Sequence, residues 1–286
     1  MWYWPPPPTQ KSLGDGSALT LSKKEINVKR QNRMAPDTLY RSTVLSIVAL
    51  TFLTIAMTSQ ASNLVVNGDF ELTSNGPNFQ FDRNTTATGW TSTNAGNNAY
   101  NFIFSPGAAD TTGATGYYGN LKLWGPGTGS NNGLPATSPT GGNFVAADGA
   151  FDNGAISQTI NGLTIGNSYT VDFWWAGAQQ SGFTGATTEQ WQVSLGNQTQ
   201  STPVLSNASH GFTGWKSQSF TYTATSSSEV LSFFAVGTPN GVPPFVLLDG
   251  VSLDASAIPE PGTLVLLGSG LLGGLGVMRS KRWFKR

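Results

Sequence analysis

The C-terminal half of the chain alternates apolar and polar residues, which is the period of a β-strand with one buried face. The pattern begins at residues 156–160, passes the turn Asn161-Gly162 and resumes at residues 169–175. Turns rich in Gly, Asn and Asp separate such runs, so the sequence predicts an all-β fold, an antiparallel two-sheet β-sandwich. The positions predicted to face its core are Ile156, Gln158, Ile160, Tyr169, Val171, Phe173, Trp175, Trp191, Val193, Leu195, Phe220, Tyr222, Leu231, Phe233, Leu247, Val251 and Leu253.

The segment from Thr73 to Pro139 lacks this regularity. It is rich in Asn, Gly and Thr and carries isolated aromatic residues. We expect extended loops with two or three short strands there, and no helix longer than two turns anywhere in residues 62–257.

An apolar run of another kind, Val44 to Met57, follows the basic residue Arg41 and precedes small residues that end at Ala61. A positive flank, a 14-residue apolar stretch and a small-residue cleavage site predict a secretory signal peptide, residues 34–61, that is helical and cut at Ala61. An uncleaved anchor is the alternative. Residues 1–33 show no periodicity and are interpreted as a disordered or spurious extension.

The chain ends with Pro259, Glu260 and Pro261, an uncharged run from Thr263 to Met278, and five basic residues after it. At ~1.5 Å per residue the 16-residue run spans ~24 Å as a helix, short of the ~30 Å hydrocarbon core. This order of features resembles the PEP-CTERM sorting signal of Gram-negative bacteria. A plain membrane anchor is the alternative.

That resemblance implies removal of the tail, residues 258–286, by an exosortase after transient anchoring in the inner membrane by a short transmembrane helix. It also implies surface display or release of the protein, alongside extracellular polysaccharide. The positive-inside rule agrees, because it keeps the basic end cytoplasmic and places residues 62–257 outside.

Charge is strongly segregated along the chain. Residues 62–258 contain three basic and eleven acidic residues, a net charge of −8, although the whole chain is neutral. So acidic a region argues against nucleic acid as a partner and suits a cation or a neutral polar ligand. Without cysteine, disulfides and thiolate sites are excluded.

Four segments resemble carbohydrate-binding, galactose-binding-like jelly rolls: residues 67–71 (Asn-Gly-Asp-Phe-Glu), Gly89-Trp90, residues 156–173 and residues 248–253. The resemblance implies a jelly-roll ectodomain over residues 62–257. Family members often carry a second acid in the closing strand, where this chain has Gly250.

A sugar-binding surface needs an aromatic face for the ring and polar groups for the hydroxyls. On the alternating strands, Trp174 and Asp172 face away from the core, as do Gln190 and Gln192. If the two strands are neighbours, these four residues form one ligand-binding surface. The loop aromatics Trp90, Tyr117, Tyr118 and Trp124 are alternative platforms.

Calcium is the cofactor that the resemblance suggests, with Asp69, Glu71 and Asp249 as ligands. The alternative is that these acids are solvated or cap turns. The first and last strands of such a sandwich lie close together, which would bring Asp249 toward Glu71.

No catalytic motif stands out between residues 62 and 258. The single histidine, His210, lies in a polar stretch and is interpreted as a solvated loop residue. We therefore predict an exported, noncatalytic glycan-binding surface protein. A structural surface protein without a discrete ligand and, less favoured, a glycoside-active enzyme are the alternatives.

Overall fold

The computed structural model describes residues 62–94 and 97–256, together with Gly270. The N-terminal extension, the signal peptide with Ala61 and, Gly270 apart, the tail with Pro259, Glu260 and Pro261 lie outside the described residues. Among the residues that are described, no helix is long and apolar enough to cross a membrane.

Residues 62–94 and 97–256 are built of strands, with a single 3₁₀ turn at Pro126–Thr128. In chain order the strands are β1 (Phe79–Gln80), β2 (Thr91–Asn94), β3 (Asn97–Asn98), β4 (Asn101–Phe104), β5 (Ala114–Gly116), β6 (Gly119–Leu121), β7 (Phe144–Asp148), β8 (Ala155–Asn161), β9 (Ser168–Gln179), β10 (Thr187–Leu195), β11 (Gln198–Ser201), β12 (Leu205–Asn207), β13 (Lys216–Thr223), β14 (Ser228–Thr238) and β15 (Pro244–Ala255).

Two sheets form the predicted sandwich. The eight-stranded sheet has the order β13-β9-β15-β7-β4-β1-β5-β6, and the seven-stranded sheet has the order β11-β10-β14-β8-β2-β3 with β12 paired to β10. Among the described strand pairs, β1 with β5 is parallel and the others are antiparallel. The predicted all-β, predominantly antiparallel sandwich is confirmed.

The core lies between the sheets and follows the predicted alternation closely. The inward residues of β9 meet those of β10 and β14, and Phe173 packs edge-on against Phe233 with ring centroids 5.1 Å apart. Gln158, predicted inward despite its polarity, is buried because its side chain accepts from the Val66 amide at 2.7 Å and donates to the Val66 carbonyl at 2.8 Å. Satisfying both amide groups removes the cost of burying them.

A second apolar cluster covers part of the outer face of the eight-stranded sheet. Phe102, Phe104, Phe144, Phe245 and Leu247 point away from the first core and are buried all the same. Residues 105–113 and 122–142, which we call the covering segment, pack over them together with Phe212 and Trp215. This explains the near-continuous apolar sequence of β4, β7 and β15, which are buried on both faces.

Two predictions need correction here. Leu247 belongs to the outer cluster rather than to the inner core, because β15 changes register between Asp249 and Ser252 at a bulge where Gly250 has φ 60°. The bulge reverses which face alternate residues occupy.

The segment from Thr73 to Pro139 holds six short strands, β1 to β6, rather than the two or three that were predicted.

Candidate functional site

An open groove of about 320 Å³ lies on the outer face of the eight-stranded sheet, beside the half that the covering segment buries. We call it the Trp174 groove. It is lined by Asp172, Phe173, Trp174, Ser217, Gln218, Ser219 and Gly250. The predicted pair Asp172 and Trp174 therefore does share one surface.

Strand pairing fixes the chemistry of this groove. On β9, Trp174 and Asp172 lie opposite Ser217 and Ser219 of β13, and cross-strand partners present their side chains on the same face. Trp174 is half-buried and Asp172 is exposed. A flat indole is thus flanked by a carboxylate and two hydroxyls, a combination suited to a polyhydroxylated ring.

The proposed grouping with Gln190 and Gln192 is wrong. These residues lie on β10, which belongs to the seven-stranded sheet, and their side chains alternate with the buried Trp191 and Val193. The chain crosses from one sheet to the other between β9 and β10, so the two polar surfaces lie on opposite sides of the sandwich. Consecutive strands pair in many sheets, but nothing in the local pattern distinguishes a hairpin from such a crossing.

Trp90 is not a binding platform, because only 3% of its surface is exposed. Its ring packs against Phe70 and Phe233 with centroid distances of 5.3 and 6.2 Å, and its Nε1 donates to the Asn67 carbonyl at 2.9 Å. A satisfied indole nitrogen permits this burial.

Trp124 is half-buried, and its ring stacks on His210 with centroids 3.9 Å apart. The imidazole Nε2 also lies 3.1 Å from Thr184 Oγ1. His210 is therefore held by specific contacts, and the interpretation as a merely solvated loop residue is wrong.

Tyr117 and Tyr118 form the exposed turn between β5 and β6, with 62% and 60% of their surfaces accessible. Tyr118 contacts Phe151, and the Arg83 guanidinium lies 4.4 Å from the Tyr117 ring centroid. These aromatics are a second exposed platform, at the opposite edge of the sheet from the Trp174 groove.

Asp249 sits at the boundary between the covered and open halves of the outer face. It is fully buried, and its Oδ2 accepts hydrogen bonds from Ser138 Oγ and Thr140 Oγ1 of the covering segment, whereas its Oδ1 has no hydrogen-bond partner. Burial, with a smaller contribution from the charge of Asp69, raises the pKa of this carboxyl to about 6.

The other two calcium candidates are exposed at the first loop. Glu71 Oε1 accepts from the Asn143 amide at 2.5 Å, and Asp69 acts electrostatically on Asp249. The loop is drawn to β15 because the Val251 amide donates to the Gly68 carbonyl at 2.9 Å. Within the described residues, no group of three or more His, Cys, Asp or Glu side chains is arranged to hold a metal ion. Asp249 Oδ1, which lacks a hydrogen-bond partner, and the nearby Asp69 could supply only some of the oxygen ligands that calcium needs. Calcium binding therefore stays a prediction.

Sequence reasoning did not single out Ser217 and Ser219, and it named Gly250 only as a departure from the jelly-roll pattern. The two serines alternate with Phe220 and Tyr222 on β13, so the period-2 pattern contained them. The pairing of β13 with β9, across the 36 residues that separate the two strands, could not be predicted from that pattern.

Two family models match the chain. The PEP-CTERM protein-sorting motif matches residues 257–282, which include Pro259, Glu260 and Pro261. The model described as protein of unknown function (DUF642) matches residues 129–249, less than half of the chain. No curated protein matches.

Solved structures that align with the chain are distant in sequence. TmCBM61 in complex with β-1,4-galactotriose is 15% identical, with 68% of this chain and 100% of that chain covered and a TM-score of 0.33. The CBM22-1 xylan-binding domain from Paenibacillus barcinonensis is 12% identical, with 70% and 97% covered and a TM-score of 0.31. The enzymatically active domain of bacteriophage CBA120 tailspike protein 4 is 12% identical, with 68% and 21% covered and a TM-score of 0.33.

The fold assignment rests on the strand pairing itself, and the sorting assignment rests on the C-terminal match. The chain carries a DUF642 match within an all-β sandwich, followed by a PEP-CTERM sorting motif that marks it as an exported, cell-surface protein.

Proposed function

We propose that the sandwich is a noncatalytic glycan-binding domain and that the Trp174 groove is its binding site. The observation that carries the proposal is the half-buried indole of Trp174, which lies in an open groove beside a carboxylate and two hydroxyls. Sites for polar ring compounds combine an aromatic face with a few such hydrogen-bonding groups.

The side chains around the indole favour a neutral polysaccharide over a charged one. Asp172 accepts hydrogen bonds from hydroxyls, Ser217 and Ser219 donate and accept them, and Trp174 offers an apolar face to a pyranose ring. An anionic sugar would meet the carboxylate of Asp172 and the acidic surroundings.

The test is retention of the purified protein in native gels that contain neutral polysaccharides. Trp174→Ala should strongly reduce retention, because stacking on the indole supplies most of the contact area in the groove. Tyr118→Ala is the matched control, since it removes an exposed aromatic ring at the far edge of the same sheet. Equal loss of retention in both variants, or no retention of the unaltered protein by any neutral polysaccharide, would exclude this site.

The sorting motif leads to proposals about processing. Secretion by way of a signal peptide cut at Ala61, transient inner-membrane anchoring and exosortase removal of the tail in a Gram-negative cell form one consistent route. Intact-mass measurement of the surface protein tests it: a mature chain beginning near Ser62 and lacking residues 279–286 is expected. A species that keeps the basic end would indicate a simple anchor.

Calcium remains part of the proposal, with Asp69, Glu71 and Asp249 as ligands. The unpartnered Asp249 Oδ1 supports it, because a hard cation would supply the interaction that this oxygen lacks. Its role would be structural, tying the first loop to β15 beside the groove.

A further inference from the structure

A second cavity, of about 450 Å³, lies among loops away from the Trp174 groove. It is lined by residues 130–132 and 206–213, and we call it the loop pocket. Its volume falls within the ~300–1,000 Å³ of typical small-molecule sites. None of its lining residues carries a fixed charge, and its only titratable side chain is His210.

Hydrogen bonds between distant segments hold the two walls of the loop pocket together. Ser130 Oγ and Asn132 Nδ2 both donate to the His210 carbonyl, at 2.8 and 3.0 Å. The His210 amide donates at 2.7 Å to Oε1 of Gln179, a fully buried side chain whose Nε2 donates to the Gly185 carbonyl. His210 keeps a left-handed φ of 61° within this network. Such bracing fixes the walls before any ligand arrives, which lowers the entropy cost of binding.

The imidazole is fixed in the same way. Trp124 stacks behind His210, and its Nε1 donates to the Phe183 carbonyl at 2.8 Å. One ring face of His210 is therefore covered by indole while the residue still lines the cavity. The stacking on Trp124 and the Thr184 contact hold His210 in place in the pocket wall.

Asn207 is braced within the same wall, because its Nδ2 donates to the Gly211 carbonyl at 3.3 Å. Glu189, a carboxyl that is fully buried between the sheets, accepts a hydrogen bond from Thr187 Oγ1. Burial raises the pKa of Glu189 to about 7. Glu189 is fully buried and is not a lining residue, so the lining side chains with polar groups are hydroxyls, amides and His210.

We propose that the loop pocket is a second carbohydrate site, independent of the Trp174 groove, that takes a short neutral oligosaccharide. Side-chain amides and hydroxyls both donate and accept, which matches sugar hydroxyls, and the lining offers no cation to pair with a uronate carboxylate. With two sites on one chain, binding to a long polysaccharide becomes multivalent.

The test is calorimetric titration of the full-length protein with neutral cello-, xylo- and galacto-oligosaccharides and with galacturonate oligosaccharides. Trp174→Ala removes the groove, so binding that survives in this variant reports the loop pocket. In that background His210→Ala should weaken binding more than tenfold. Asn131→Ala, an exposed lining residue, should weaken it about 2- to 10-fold, the effect of one neutral hydrogen bond.

Asn197→Ala, on an exposed turn outside the pocket, is the matched control and should leave the dissociation constant unchanged. Asn131→Ala guards against the chance that His210→Ala unfolds a loop. The inference is overturned if the Trp174→Ala protein binds no neutral oligosaccharide, or if both lining variants bind like Asn197→Ala. Equal affinity for neutral and galacturonate oligosaccharides would overturn the proposed preference for neutral sugars. Binding that Trp174→Ala leaves unchanged and His210→Ala removes would defeat the proposed function and leave the loop pocket standing.

Discussion

The outer face of the eight-stranded sheet is covered by other residues in one half and open in the other. Over β4, β7 and the first part of β15, the covering segment buries Phe102, Phe104 and Phe245 completely. Over β9 and β13, Trp174 on the same face stays half-buried beside Asp172. Aromatic residues on one face thus stabilise the fold in one half and remain available for a ligand in the other.

The boundary between the halves is narrow. Thr140 of the covering segment hydrogen-bonds to Asp249, and Asp249 is the cross-strand partner of Trp174. Substitutions in the covered half should therefore change stability, and substitutions in the groove should change ligand binding. Substitutions at the boundary should change both.

The largest expected effect is in the covered half. Phe104→Ala should lower the free energy of unfolding by about 3–5 kcal/mol, because it leaves a cavity under the covering segment. Urea denaturation measures the loss. Tyr118→Ala, at an exposed ring, should change it by less than ~0.5 kcal/mol. Similar losses of unfolding free energy in Phe104→Ala and Tyr118→Ala would mean that the residues under the covering segment do not form a stabilising core.

On the boundary, stability should depend on pH through Asp249. The unfolded carboxyl releases its proton near 3.8, whereas the folded one keeps it until about 6. Between these values the folded state binds more protons, so in chelator stability falls as pH rises from about 4 to 6, by up to ~3 kcal/mol for two units. Asp148 and Glu189, whose pKa values burial raises to about 6 and 7, add slopes of the same sign. Asp249→Asn should make the slope shallower, and an unaltered slope would show that this carboxyl ionises normally.

Calcium bound to the ionised Asp249 carboxylate should raise the stability of the folded state, whereas ionisation alone lowers it. An ion bound only to the folded state contributes ~2.7 kcal/mol at a hundredfold excess over its dissociation constant, so the melting temperature should rise with calcium at pH 7. Asp249→Ala should remove that rise. Sodium at equal ionic strength separates a site from general screening of the acidic surface, and coincident melting curves in calcium and chelator would eliminate the site.

The smallest effect is expected at Gly250. An added Cβ would lie 2.7 Å from Thr140 Cγ2 and 3.2 Å from Trp174 Cδ1, at a φ of 60°. Gly250→Ala should cost about 1–2 kcal/mol for the left-handed backbone and push the indole aside, reducing polysaccharide retention. Gly241→Ala, also at positive φ but with open space around it, carries the backbone cost alone. Full retention by Gly250→Ala would show that the position of the indole does not matter.

Local pattern predicted most of the sandwich and only part of the site. Alternation identified the strands, and it correctly set Trp174 and Asp172 on one outward face, because that relation lies within a single strand. It failed for Gln190 and Gln192, where the answer depended on which sheet β10 joins.

Burial by distant segments was equally invisible from sequence. Trp90 is covered by Phe70 and Phe233, and Asp249 by Ser138 and Thr140, through contacts spanning 20 to 143 residues of sequence. The sorting motif, by contrast, is read from consecutive residues and needs no tertiary context.

The position of β15 has a mechanical consequence. This last strand is not at an edge: it lies between β9 and β7, and it leads directly toward the sorting motif. Tension applied to the tail along the strand would shear its hydrogen bonds to both neighbours together instead of opening them one at a time. Asn63 Oδ1 also accepts from the Leu253 amide at 3.0 Å, which fastens the start of the sandwich to the same strand. A domain pulled by its C-terminus while holding an extracellular polymer would thus resist at its central strand, with both ends of the folded region clamped together.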